Sequence, residues 1–155
     1  MKETMRAAEL RGYHEPLQIE EKPIPVPGPG EVLCRIKSVA ICGSDPKMIH
    51  GDYAWTNWPP YYPFIMGHEW AGQIVALGEG VNDFKVGDRV ALEPGKTCGH
   101  CKFCREGKYN LCPDVVFFAT PPVDGVFQEY VAHEADLCFK LPENVSTLEG
   151  ALIEP

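Results

Sequence analysis

Positive charge is scarce in this chain: 14 lysines and arginines stand against 22 acidic residues, for a formal net charge of −8. No cluster of Lys or Arg gathers anywhere, which excludes an ordinary nucleic-acid binder and suits an anionic membrane surface no better. Long apolar runs are also missing, and none approaches the ~20 residues that a membrane span requires. The amino end, Met1-Lys2-Glu3-Thr4-Met5-Arg6, lacks an apolar core, so no secretory signal is expected and the protein is placed in the cytoplasm. Nowhere does a G-x-G-x-x-G follow a strand and open a helix. Gly78-Glu79-Gly80 lacks the third glycine and sits in a turn context, so the dinucleotide-binding fingerprint is absent. There is no internal repeat and no low-complexity tail.

What is present fits one soluble domain over residues 1–155. Hydrophobic residues make up 45% and charged residues 23%, which is ordinary for a globular core of this size. Fifteen glycines and 15 prolines predict frequent turns and few long helices. Residues 5–12 and 16–22 read as a pair of short strands, followed by a proline-rich connector from Pro23 to Gly30. Over residues 31–40, Val32, Cys34 and Ile36 alternate with Leu33, Arg35 and Lys37, the period of a strand. Residues 70–77 are almost wholly apolar and predict a strand covered on both faces. Val86–Leu92 and Val126–Ala132 are further candidates. Asp45-Pro46 has the form of a helix cap followed by proline at the first helical position. Ser146-Thr147-Leu148-Glu149 has the spacing of a capping box, predicting a helix that runs toward Glu154. The sum is a mainly β fold with short helices, of the barrel type.

Four of the seven cysteines lie close together: Cys98, Cys101, Cys104 and Cys112, spaced C-x2-C-x2-C-x7-C. Four thiolates fill the tetrahedron of a Zn²⁺ and leave no open position, so this arrangement closes a loop (about residues 94–113) and does not catalyse. Three rival readings exist. Cys98-Gly99-His100-Cys101 has the form of a thiol-redox motif, but no βαβ context surrounds it. Cys112-Pro113 imitates the end of a bacterial iron–sulfur motif, but its last gap is too long. Four free thiols are the bland alternative. His100 is a possible substitute ligand, yet four sulfurs already complete the site. Cys34 and Cys138 fall in strand-like stretches and read as small buried hydrophobes. His14 and His133 have no motif behind them.

Two further fragments carry weight only in context: Ile41-Cys42-Gly43-Ser44-Asp45 and Met66-Gly67-His68-Glu69-Trp70. Taken alone, Cys42 is a core residue and His68 a satisfied polar one. The order of motifs is more specific. Cys42-Gly43-Ser44-Asp45 precedes Gly67-His68-Glu69, then Gly87-Asp88-Arg89-Val90, then the cysteine lobe, with Ala151-Leu152-Ile153-Glu154-Pro155 last. This order resembles the zinc-dependent medium-chain alcohol dehydrogenases along the whole chain. Ala119–Gly125 and Gly150–Pro155 look most like the sorbitol/xylitol branch.

The resemblance implies a GroES-like catalytic domain with two zinc ions. Cys42, His68, Glu69 and Glu154 match positions at the catalytic zinc, with Glu69 and Glu154 either direct ligands or placed just behind the metal. Cys98, Cys101, Cys104 and Cys112 match a structural zinc lobe. Ser44 matches a hydroxyl that relays the substrate proton, and His50 is a possible extension of that relay to solvent. The implied reaction oxidises a secondary alcohol of a polyol or diol, with hydride transfer to NAD or NADP held by a Rossmann domain absent from this chain. A homo-oligomer is implied for the full-length enzyme. The alternative, from a different class, is a zinc-binding GroES-like module without turnover. His68 and Glu69 are sequence neighbours, so both can face one metal only if the backbone there is irregular, which Gly67 permits. Sorbitol-type enzymes carry a His-Tyr pair soon after C-G-S-D. Here Pro46, Lys47 and Met48 occupy that stretch, which leaves other diols and small sugar alcohols open. The aromatic segment Tyr53–Phe64 reads as a substrate-pocket wall or an interface.

Overall fold

The computed structural model describes residues 3–54 and 62–154. Three β-sheets and three short α-helices make up the described chain. The first two strands, β1 (Thr4–Leu10) and β2 (Gln18–Pro23), form an antiparallel pair in register from Thr4↔Pro23 to Glu9↔Gln18. On its other edge β1 pairs with the short β4 (Phe64–Ile65). Glu9 is buried in β1 and is held by ion pairs to Lys22 and Arg11, which removes the cost of leaving a buried carboxylate alone.

The larger sheet contains β3 (Glu31–Val39), β5 (Trp70–Leu77), β6 (Arg89–Leu92), β9 (Tyr130–Glu134) and β10 (Cys138–Lys140), in the order β10-β6-β5-β3-β9. Its core gathers Val32, Cys34, Trp70, Ile74, Val90 and Val131, the residues whose alternation or apolar run predicted strands. Cys34 and Cys138 both lie in this core, and the neighbouring Cys138 thiol, together with burial, drives Cys34 well above the ordinary thiol range. They are small buried hydrophobes, as expected. A third, two-stranded sheet joins β7 (Gly95–Lys96) to β8 (Val116–Phe117) across the base of the cysteine lobe. No described helix is long and apolar enough to cross a membrane.

The strand pattern departs from expectation in two places. The segment 86–88 is a turn, and β6 starts only at Arg89. The stretch from Val126 to Glu129 is not regular strand. Its N–H groups are used on two different segments: Val126 and Phe127 donate to the carbonyls of Gly67 and Met66 (both 2.9 Å), in the irregular stretch after β4, while Glu129 donates to Arg6 O of β1 at 3.1 Å. With Ala8 N donating to Phe127 O at 2.8 Å, this segment joins the small sheet to the large one, so the strand is delayed to Tyr130.

The helices are short. α1 spans Ser44–His50 and is capped by Gly43, not by Asp45, because the Asp45 side chain reaches back to the chain ahead of the helix. α2 (Lys102–Arg105) lies within the cysteine lobe. α3 (Thr147–Gly150) has the full capping box: Ser146 Oγ accepts from the Glu149 N–H, and Glu149 Oε2 accepts from the Ser146 N–H at 2.8 Å. Those bonds from Ser146 hold the Glu149 carboxyl below its usual range. The helix stops at Gly150 and continues as turn toward Glu154, so it is shorter than the spacing predicted.

Candidate metal centres and the cavity beside them

The cysteine lobe brings its four predicted sulfurs together. The Sγ atoms of Cys98, Cys101, Cys104 and Cys112 all lie within 4.8 Å of one another. The Cys101–Cys104 and Cys98–Cys104 separations are 3.5 and 3.9 Å. Zn–S bonds of about 2.3 Å in a tetrahedron require sulfurs roughly 3.8 Å apart, so the donor set fits such an ion. Backbone N–H groups also point at the sulfurs: Cys101 N donates to Cys98 Sγ at 3.3 Å, Cys104 N to Cys101 Sγ at 3.4 Å, and Cys98 N to Cys112 Sγ at 3.5 Å. Such bonds favour thiolates, the form a metal needs. The His100 and Cys101 N–H groups pull the Cys98 thiol down to about 6. The Cys104 N–H acts on Cys101 in the same sense, but burial and the sulfurs of Cys104 and Cys98 push that thiol up to about 11. His100 takes no part, since its Nδ1 donates to the Cys98 carbonyl at 2.8 Å and its ring is exposed.

The second group is Cys42, His68 and Glu69, whose donor atoms likewise lie within 4.8 Å of one another. Cys42 stands just before α1, and His68 and Glu69 fall in the irregular stretch between β4 and β5. Gly67, at φ +86°, turns the backbone there and frees the two neighbours from the alternation of a strand. His68 Nε2 and Glu69 Oε1 are 3.8 Å apart, with side chains only 12% and 5% exposed. A thiol, an imidazole and a carboxylate this close and this buried form a donor set of the kind that zinc takes. Glu154 lies outside this set of three, yet its carboxyl is within electrostatic reach of it. Burial raises its pKa, His68 works against the rise, and Glu69 and Glu93 add to it.

Asp45 is almost fully buried beside the trio, and its Oδ2 accepts the Cys42 N–H at 2.9 Å. Burial lifts its carboxyl above the usual range. The N–H groups of Cys42 and Gly67 and the His68 ring work against that rise, while Glu69 adds to it. The Ser44 N–H points at Cys42 Sγ at 3.5 Å, and Ser44 Oγ is buried without a hydrogen-bond partner among the described residues.

Ser44 and His68 both face a cavity of about 300 Å³. Met48 and Tyr53 line one side, and the run Phe117–Thr120 lines the other. Met48, in the stretch where the sequence departs from sorbitol-type enzymes, therefore forms part of the cavity wall. Of the aromatic segment read as a pocket wall or an interface, residues 55–61 lie outside the described residues. Tyr53 lines the cavity, whereas Phe64 is buried in a second core with Leu10, Met48 and Met66, against which Tyr62 packs. Residues 117–120 carry no periodicity or ligand spacing. The one signal near them was the likeness of Ala119–Gly125 to the polyol branch. His50 is exposed and its ring stacks near that of His14, 6.5 Å between centroids.

Comparison with known proteins agrees with this geometry. The chain is 49% identical over 153 residues to sorbitol dehydrogenase of Bacillus subtilis, covering 99% of this chain and 43% of that protein. It is 50% identical over 155 residues to sorbitol dehydrogenase of Arabidopsis thaliana, covering 100% and 42%. It thus spans about two fifths of the length of these relatives. Among solved structures, galactitol-1-phosphate dehydrogenase from Escherichia coli superimposes with a TM-score of 0.87 at 34% identity, over 97% of this chain and 42% of that one. The pattern of the alcohol dehydrogenase GroES-like domain matches residues 28–143, and the chain belongs to that family.

Proposed function

We propose that this chain is the metal-carrying catalytic domain of a zinc-dependent oxidoreductase that converts a secondary alcohol of a polyol or diol to a ketone, with NAD or NADP as the hydride acceptor. The observation that carries the reading is that the donor atoms of Cys42, His68 and Glu69 lie within 4.8 Å of one another, with His68 lining a cavity of about 300 Å³. Zinc held by Cys42, His68 and Glu69, and approached by Glu154, would supply a Lewis acid that eases loss of the alcohol proton. Ser44 lines the same cavity, and its Oγ, unpartnered among the described residues, would accept that proton and pass it outward. Phe117 to Thr120 and the buried Met48 give the cavity a largely apolar lining against which the substrate carbon chain would rest. Asp45 keeps the Cys42 backbone in place, so the thiol is positioned before any ligand arrives. The sorbitol dehydrogenase relatives support a small polyhydroxylated substrate. The dinucleotide would be held by residues outside these 155. The cysteine lobe would hold a second zinc whose role is structural.

Zinc per chain, measured by elemental analysis on the parent and on Cys42→Ala, tests the reading. Two zincs falling to one is the expected result. One zinc in both proteins would leave only the cysteine lobe occupied and make the chain a structural zinc module.

A further inference from the structure

Phe118 stands where three cavities meet. One is the cavity of about 300 Å³ that holds Ser44 and His68. The second, of about 180 Å³, contains His133 and Glu134. The third, of about 400 Å³, contains Met5 and Ile65 and reaches the underside of the small sheet. Phe118 belongs to the wall of each. Its ring rests on that of His133, with centroids 4.9 Å apart, and its side chain packs against the main core. Its backbone is fixed as well: the Phe118 N–H donates to Pro94 O at 3.3 Å. The next residue, Ala119, is buried at φ +56°, a conformation that a residue with a Cβ rarely adopts. Backbone of this kind persists where its surroundings hold it, and it collects at ligand sites.

We propose that Phe118 is a specificity-determining residue: it forms the end wall of the catalytic cavity and sets the longest alcohol the site admits. The inference rests on the reading of Cys42, His68 and Glu69 given above and goes beyond it by naming what limits the substrate. With Phe118 in place, the cavity beside His68 sits at the small end of the range for ligand sites, which suits a short polyol and not a long-chain alcohol. Among the described residues Phe118 is the one common to the linings of that cavity and the larger one, so removal of its ring is expected to join them.

The test uses the full chain loaded with Co²⁺ and a series of N-alkylimidazoles from methyl to octyl. The azole nitrogen binds an open metal position and shifts the cobalt visible bands, while the alkyl tail probes cavity depth. In the parent, affinity rises with tail length and then breaks, since one methylene too many costs roughly 10- to 200-fold in a closed pocket. Phe118→Ala moves the break to longer tails and Phe118→Leu moves it less far, with methylimidazole binding little changed in both. The same break in the parent and both variants overturns the proposal. Should Phe118→Ala fail to retain the cysteine-lobe cobalt, Phe118→Leu alone carries the comparison. If azoles leave the spectrum unchanged and Cys42→Ser binds as much cobalt as the parent, the catalytic reading itself fails and this proposal falls with it.

Discussion

Asp45 Oδ2 accepts the backbone N–H of Cys42 at 2.9 Å from inside the first turn of α1. The bond folds the helix start back over the loop that carries Cys42, beside His68 and Glu69. A partner that orients a metal ligand without touching the metal is typically worth about 10- to 100-fold in metal affinity. Asp45→Ala is expected to weaken zinc at the Cys42 site by about that factor while leaving the cysteine lobe loaded. Asp45→Asn keeps an oxygen for the Cys42 N–H and should lose less. Competition against a chelator, followed by metal content, separates the two sites. Equal affinities in parent and Asp45→Ala would show that the bond does not position Cys42.

The backbone ahead of His68 is shaped by contact with Gly125. A Cβ built on Gly125 would sit 2.3 Å from the carbonyl oxygens of both Met66 and Gly67, which only a shift of main chain can relieve. The contact is framed by short bonds: Gly125 N donates to Ile65 O at 2.6 Å, and Asp124 Oδ1 accepts the Ile65 N–H at 2.9 Å. Gly125→Ala should therefore cost about 1–3 kcal/mol, the usual size of a forced overpacking. At this chain length that lowers Tm by about 3–10 °C. Because the displaced residues lead directly into His68 and Glu69, zinc at that site should weaken as well. A variant with unchanged Tm and two firmly bound zincs would contradict this account of how the site is held.

The two candidate centres were legible in the sequence to different degrees, for a physical reason. The lobe's four ligands fall between Cys98 and Cys112, close enough that spacing alone specifies one small loop and one ion. Cys42 and His68 come from separate elements, joined only by the fold, so their pairing was legible through the order of motifs and not through spacing. Gly67 only permitted His68 and Glu69 to share one side, and its positive φ supplies the irregular backbone that this needs. The strands β3 and β5 followed from alternation and from apolar density, because each packs a continuous face on the core. Periodicity and spacing left three details open. Val126–Glu129 reads as strand by composition, yet its N–H groups are divided between β1 and the irregular stretch after β4. Asp45 reads either as a residue that orients the loop or as a helix cap, and its bond to the Cys42 N–H is of the first kind. The run Phe117–Thr120 has no periodicity, and it lines the cavity only because β7 and β8 carry it there.

His133, which has no motif behind it in the sequence, carries the pH prediction. It is 7% exposed on β9, and its Nε2 lies 3.0 Å from the Glu93 carbonyl; a carbonyl only accepts, so that nitrogen carries the hydrogen. Burial lowers its pKa below 6.5. The Glu93 carbonyl and the carboxylates of Glu134 and Glu31 oppose the shift, and Lys96 reinforces it. The sign follows from linkage: a depressed folded pKa means that the unfolded chain takes up the proton first. The stability tied to neutral His133 is complete above about pH 6.5 and is lost as pH falls below that, through the folded value. One site can contribute a slope of at most about 1.4 kcal/mol per pH unit. His133→Gln keeps a donor for Glu93 but cannot titrate. Urea midpoints of parent and variant should therefore converge between pH 7 and pH 5, as the parent loses stability that the variant never had. Taking the difference at each pH cancels the acid release of metal common to both proteins. A difference that stays constant across that range would mean that His133 does not titrate with folding.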